Sequence, residues 1–139
     1  MSSPAVVDIE GAVVAYLAGR ADVAALAGER IATLPPPSLA DPFVRVRLLN
    51  APQPLNSPTD YLTAYLVQTD CYAGAGGTSV DALELATAVR LAIHEMPGAA
   101  GLGATITGTN IAGFQNLEDI DIEPPRPRYL VTATIWAHP

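Results

Sequence analysis

The sequence predicts an α+β domain with a mixed, mostly antiparallel sheet, in which one long helix and an N-terminal helix pack on one face. Strand-like segments are consecutive on both sides of the long helical segment 78–96, so strands and helices do not alternate as they do in parallel α/β folds. The helical segment also carries its apolar residues in one stripe. The chain has 139 residues, the length of one domain, so residues 1–139 are expected to form a single domain.

Two helices are predicted before the first long strand. The first covers residues 4–18, with Ser3 as its cap and Pro4 at the first helical position, where an N–H group would be unpaired anyway. Asp22 is expected to cap a short second helix, which Gly28 ends. The buried side of the first helix is predicted from apolar residues at three- and four-residue spacing: Val6, Ile9, Val13 and Leu17.

The long helix has sequence signals at both ends. Thr78 is a favourable N-cap residue, and Asp81 three positions later completes a variant of the capping box. The helix is expected to run to about Met96, because the Pro97-Gly98 pair ends it. Its predicted buried stripe consists of Ala82, Leu85, Ala86, Val89, Ile93 and Met96.

Six segments have the composition and alternation of strands. The third of them is rich in aromatic and β-branched residues, which favour a pleated sheet. The segment 51–60 contains three prolines and no apolar period, so it is predicted to be a long loop or an extended arm. The predicted strands are 30–34, 42–50, 61–73, 105–114, 117–123 and 129–137.

Composition removes several classes of function. The chain has fourteen acidic residues, seven arginines and no lysine, and its net charge is −7. Affinity for duplex DNA comes from cationic contacts to phosphates, so an acidic chain is a poor candidate for wrapping DNA. One cysteine and two histidines argue against a disulfide or a Cys/His zinc site. The first basic residue is Arg20, and no apolar run approaches the roughly 18 residues of a spanning helix, so neither a signal peptide nor a membrane span is expected.

The most enzyme-like feature is the segment 74–79, Gly-Ala-Gly-Gly-Thr-Ser, between a predicted strand and the long helix. A glycine loop at a helix N-terminus can hold a phosphate with its N–H groups. The segment lacks the lysine of a P-loop, and Ser79 stands where the dinucleotide fingerprint has its third glycine. A flexible turn with a good helix cap is therefore the favoured interpretation, and no cofactor is expected.

Other polar residues also favour structural roles. Asp119, Asp121 and Glu123 share one face of a predicted strand, where carboxylates about 7 Å apart converge poorly on one ion, so a solvated face is favoured over a metal site. His94 lies near the end of the long helix, where a cation is mildly favoured. Cys71 is expected to be a buried apolar residue and not a nucleophile. No catalytic residue is assigned.

Four arginines occur in two pairs. Arg45 and Arg47 share a face of a predicted strand, and Arg126 and Arg128 flank a proline. Arginine forms forked, directional bonds to carboxylates, and the chain is rich in acidic partners. The four residues are therefore candidates for salt bridges between subunits, with ordinary surface solvation as the equal alternative.

With its elements in order, the sequence resembles the tail terminator (tail completion) family of long-tailed phages. The resemblance rests on the order and spacing of the segments VAALAGERIATLPPP, DPFVRVRLL, YLTAYLVQTDCYAG, SVDALELATAVRLAIHEMPG and RYLVTATIWAHP. Within them, Gly28–Ile31 matches a GxRI pattern, Pro42-Phe43 matches a P[FY] strand start, and Ala82–Ala92 matches the A..LA..VR.A helix. The resemblance implies a small α+β domain without catalytic residues.

The resemblance also implies a role in the virion. Such proteins form a hexameric ring on the tail tube in the neck region, stop tube growth and present a surface to the head connector; assembly takes place in the host cytoplasm. Six copies at −7 carry about −42 charges, which would let DNA pass without holding it. Either the acidic strand residues Asp119, Asp121 and Glu123 or the acidic residues of the helices are expected to line or flank that passage.

The proline-rich segment 51–60 is expected to contact a neighbouring subunit or the tube. Stiff proline segments lose little entropy on ordering. The candidate interface residues in this loop are Pro52, Pro54, Leu55 and Pro58. Two alternatives remain at this point: another head–tail joining protein or tube protein, and a small cytoplasmic domain that binds a phosphate ligand at the glycine loop.

Overall fold

The computed structural model describes residues 7–50, 63–117 and 126–139. None of the helices in these ranges is long and apolar enough to cross a membrane. The elements are α1 (Ile9–Ala18), α2 (Ala21–Ala27), β1 (Ile31–Ala32), β2 (Phe43–Asn50), β3 (Thr63–Tyr72), α3 (Ser79–His94), β4 (Thr105–Asn116) and β5 (Arg128–His138).

The five strands of the described ranges form one mixed sheet in the order β1-β2-β3-β5-β4. β1 pairs with β2 in parallel, and the other three pairs are antiparallel. β3 and β5 therefore lie inside the sheet, whereas β1 and β4 are its edges. Together with three helices in the same ranges, this mixed, mostly antiparallel sheet confirms the predicted α+β class.

A hydrophobic cluster joins apolar side chains of the described helices to one face of the sheet. The strand register places Val46, Thr69 and Val131 side by side on this face, and all three are fully buried. The Thr69 hydroxyl donates to the Val131 carbonyl at 3.1 Å, so the buried polar group is satisfied. All six residues of the stripe predicted for the long helix are buried, which confirms that prediction.

The start of α3 follows the predicted capping box. The Thr78 hydroxyl accepts a hydrogen bond from the Asp81 N–H, and the Asp81 carboxylate accepts one from the Thr78 N–H at 2.8 Å. The helix ends at His94 with Glu95 as its C-cap, slightly earlier than predicted. Pro97 explains the difference, because a proline disfavours the helical conformation in the residue before it.

We expect Thr78→Ala to lower the free energy of unfolding by about 1 kcal/mol, because the change removes the side-chain oxygen that caps α3. Thr87→Ala is the matched control, since Thr87 is an exposed threonine inside the same helix. Alanine has the higher helix propensity there, so this control should be neutral or slightly stabilising. Urea unfolding followed by circular dichroism measures both variants, and equal effects would contradict the role of the cap.

The predicted start of the first helix is wrong. Residues 7 and 8 are not helical, and α1 begins at Ile9 because the Asp8 carboxylate accepts the Gly11 N–H at 3.0 Å and forms the N-cap. The predicted signals Ser3 and Pro4 lie outside the described residues. Three residues of the predicted apolar stripe are confirmed as buried, namely Ile9, Val13 and Leu17, whereas Val6 lies outside the described residues.

The predicted cap of the second helix is also wrong. Arg20, and not Asp22, occupies the N-cap position of α2. The Asp22 carboxylate lies in the first turn, where both of its oxygens accept from Arg20, at 3.1 and 3.0 Å. This forked ion pair lowers the pKa of Asp22. Gly28 ends the helix as predicted, with a positive φ of 59°.

The strand predictions agree with the structure except near residue 117. The segments predicted at 30–34 and 42–50 contain β1 and β2, and β3 lies within the predicted segment 61–73. β5 extends one residue beyond its predicted segment 129–137 at each end, and β4 extends two residues beyond its predicted end. Leu117 follows β4 without belonging to a strand, and the remainder of the predicted strand 117–123 lies outside the described residues.

Candidate functional site

The face of the sheet opposite the hydrophobic cluster carries a network of polar side chains. These residues are far apart in the sequence. β2, β3 and β5 pair in a register that sets Arg47 opposite Gln68 and Tyr72 opposite Arg128. Because side chains alternate along strands, these residues point away from the hydrophobic cluster. The side chains gathered on this face include Arg45, Arg47, Gln68, Asp70, Tyr72 and Arg128.

Asp70 is the centre of this network. One carboxylate oxygen lies 3.0 Å from Arg47 Nη2 and 3.7 Å from Arg128 Nη1, and the other accepts from Gln68 Nε2 at 2.7 Å. The Asp70 side chain is 1% exposed, whereas that of Arg47 is 35% exposed. Each oxygen of this buried carboxylate thus accepts a hydrogen bond, while Arg47 remains partly accessible at the surface.

Aromatic rings support the same network. Tyr72 stacks on Phe43 with ring centroids 4.3 Å apart, and the Arg128 guanidinium lies 5.7 Å from the Tyr72 ring. Arg128 also donates to the Leu117 carbonyl at 3.0 Å, which ties β5 to the end of β4. These contacts join the Arg128 guanidinium to both β3 and the end of β4.

The other two candidate interface arginines also have partners within the chain. Arg45 donates from Nε to the Thr33 carbonyl at 3.1 Å. Arg126 is buried and donates to the Leu39 carbonyl. All four arginines therefore make internal contacts in the subunit, and a second contact across a subunit boundary stays a prediction for them.

Several predicted site residues lie outside the described residues. These are the loop residues Pro52, Pro54, Leu55 and Pro58 and the acidic residues Asp119, Asp121 and Glu123.

The glycine segment 74–79 forms a packed turn. The Ala75 N–H donates to the Ala40 carbonyl at 2.8 Å, and a Cβ on Gly74 would lie only 2.9 Å from the same oxygen. The adjacent groove of about 280 Å³ is lined in part by Asp81 and Glu84. Two carboxylates repel an anion, so this geometry disfavours a phosphate ligand. The short distance at Gly74 shows that a glycine is needed there for close packing.

Cys71 is buried in β3, which confirms the prediction that it is a core residue. Burial raises the pKa of its thiol, so the reactive thiolate is suppressed.

We expect Ellman's reagent to leave Cys71 unmodified in the folded protein and to modify it completely in 6 M guanidinium chloride. Fast modification of the native protein would contradict this burial.

A groove between α3 and β4 does not correspond to any site predicted from the sequence. It has a volume of about 350 Å³ and is lined by Thr87, Arg90, Leu91, His94 and Ile111. The Arg90 guanidinium lies 4.7 Å from the centre of the Phe114 ring, and Leu91 is 47% exposed. One feature of the sequence indicates an uncharged surface beside this groove: residues 97–117, which include β4, contain no charged side chain.

Comparisons with known proteins agree with this fold. A chain in the virion of a native gene transfer agent (GTA) particle is similar, with a TM-score of 0.71 and 18% sequence identity over 93% of this chain and 94% of that chain. At this identity the likeness concerns the fold. No curated protein matches the sequence. Residues 11–134 match the family described as tail completion protein gp17, so the chain belongs to this family of structural phage tail proteins, as the sequence resemblance predicted.

Proposed function

We propose that this protein caps the phage tail tube as a hexameric ring, stops tube polymerisation and presents a surface to the head connector. The match of residues 11–134 to the tail completion family carries this proposal. A structural role of this kind works through shape-matched contacts with copies of the chain and with the tube, and it needs no catalytic group.

The surfaces at the two lateral edges of the sheet support the proposal of a ring. A closed ring is built from heterologous contacts, in which two different surfaces of each subunit meet. β4 is one edge of the sheet, with the exposed side chain of Leu91 on the neighbouring helix. On the opposite side, Leu48 and Leu49 at the end of β2 are 37% and 47% exposed. Each subunit thus offers two unlike lateral surfaces with apolar side chains.

Charge supports free passage of DNA. A ring of six copies carries about −42 formal charges, which repel the phosphate backbone. We propose that Asp119, Asp121 and Glu123 line or flank the central passage. A ring structure that places these three carboxylates on the outer rim would contradict this assignment.

The proline-rich segment 51–60 and the arginines Arg45 and Arg47 are the proposed contacts to neighbours. Arg47 is the more accessible partner of Asp70, so its guanidinium can meet a second carboxylate from another subunit. Deletion of residues 51–60 should abolish ring formation. Rings that still form and cap tubes after this deletion would remove the segment from the interface.

Mass measurement of the purified protein, alone and with tube protein, separates the proposed function from its alternatives. A terminator stops at one ring, whereas a tube protein polymerises by itself and a phosphate-binding domain remains a monomer. We expect a discrete species of six subunits that binds tube ends. Unlimited polymers would identify a tube protein, and saturable phosphate binding by a monomer would identify the other alternative.

A further inference from the structure

The outer edge of β4 is an unpaired strand edge among the described residues. β4 pairs with β5 on one side and has no described strand on the other. At its start, the Ile106 carbonyl accepts from the Gly98 N–H at 3.0 Å. The edge that remains open runs from residue 108 to residue 116, which is about 30 Å of extended chain. Alternate backbone N–H and C=O groups along it point away from the sheet.

This edge lacks two of the features that usually prevent pairing with another strand. Natural edges are commonly protected by charged side chains or proline, and β4 has neither. Its bulges raise the local twist, but the runs 108–111 and 113–116 pair regularly with β5. The other side of the sheet differs, because β1 pairs with β2 and the Glu10 carboxylate accepts the Leu48 N–H at 2.9 Å.

The groove between α3 and β4 lies beside this edge and can receive side chains from an added strand. Ile111 projects from β4 into the groove, and Leu91 and His94 line it from α3. Peptides that add to a sheet edge gain affinity from backbone hydrogen bonds and specificity from pockets for alternate side chains. An edge and an apolar groove side by side provide both requirements.

Charge indicates which partner fits. None of the groove-lining residues is acidic, and Arg90 has no carboxylate partner among the described residues. The chain itself has a net charge of −7, so most of its surface repels another copy, whereas this surface attracts one.

We propose that the open edge of β4 and the α3–β4 groove receive an extended segment of a second copy of this chain, so that the sheet of one subunit continues into the next. This inference rests on the ring of the proposed function and names the surface that builds it. The contact is lateral, because β4 is the edge of the sheet opposite β1.

A photo-crosslink tests the identity of the partner. The photoreactive residue p-benzoylphenylalanine replaces Leu91 in the full chain, and rings assembled on purified tail tubes are irradiated. We expect a product with the mass of two copies of this chain. The matched control replaces Val80, which is 58% exposed on the same helix but does not line the groove, and should give at least tenfold less of this product. A product with tube protein alone, or no product at position 91, would overturn the inference.

Two further measurements test the strand pairing. Leu91→Glu should weaken ring assembly at least tenfold while Val80→Glu leaves it unchanged, and both variants should keep the circular dichroism spectrum of the folded subunit. Hydrogen exchange of backbone amides within residues 108–116 should slow at least tenfold when rings form. Unchanged exchange there would overturn strand addition.

The outcomes for the two proposals are distinguishable. If wild-type rings cap the tubes and Leu91→Glu rings do so equally well, strand addition at β4 is wrong and the proposed function stands. If the wild-type chain forms no ring at tube ends, the proposed function fails and the inference fails with it.

Discussion

Replacement of Asp70 with asparagine is expected to lower the free energy of unfolding by about 3 kcal/mol, because it leaves two arginines without their buried anion. The side chain keeps its shape, so the effect measures charge and hydrogen bonding and not a cavity. Gln68 also loses its carboxylate acceptor. Removal of one partner from a buried ion pair costs more than the intact pair contributes, since the other charge remains desolvated.

Three further variants, namely Glu29→Gln, R47M and D70N/R47M, check the origin of this effect. Glu29→Gln makes the same charge change at an exposed position and should alter the free energy of unfolding by less than about 0.5 kcal/mol. The double variant D70N/R47M should be less destabilised than the sum of its single variants, with a coupling of about 1 kcal/mol or more. Urea unfolding of the wild type, D70N, R47M, D70N/R47M and Glu29→Gln gives these values, and full additivity would show that Arg47 and Asp70 do not interact.

Replacement of Ile93 with alanine is expected to lower the free energy of unfolding by about 3 kcal/mol, because it removes buried methyl groups and leaves a cavity in the hydrophobic cluster. Ile93 is fully buried on α3, and its carbonyl accepts the Thr109 hydroxyl at 2.8 Å. The backbone contact survives the substitution, so the loss reports on packing alone.

Leu91 is the matched control for this prediction. It lies two residues away on the same helix and is 47% exposed, so Leu91→Ala should change the free energy of unfolding by less than about 1 kcal/mol. Thermal unfolding of the isolated subunit compares the two variants. Equal destabilisation would mean that α3 is not buried on the side that the structure shows.

Local patterns were the part of the fold that the sequence could predict. The buried apolar residues of α3 recur at helical spacing. The reciprocal hydrogen bonds of the capping box join Thr78 and Asp81, which are three residues apart. Both features depend on residues that are close in the sequence, so the sequence alone was sufficient to predict them. The start of α1 was misplaced because the Asp8 carboxylate, which accepts the Gly11 N–H, was not considered as a cap.

Contacts between distant segments could not be predicted. Asp70 and Arg128 are separated by most of the second half of the chain, and only the register between β3 and β5 brings them together. The α3–β4 groove likewise depends on the strand order, which places β4 outside β5. The family resemblance correctly predicted a structural phage tail protein, because the resemblance rests on the order of many segments and not on any single site residue.

Electron microscopy of the purified protein mixed with polymerising tail tubes tests the central claim most directly. We predict a ring-shaped cap at one end of each tube and tubes that stop lengthening once the cap is present. Tubes that continue to grow at the same rate, with no density from this protein at either end, would contradict a capping function.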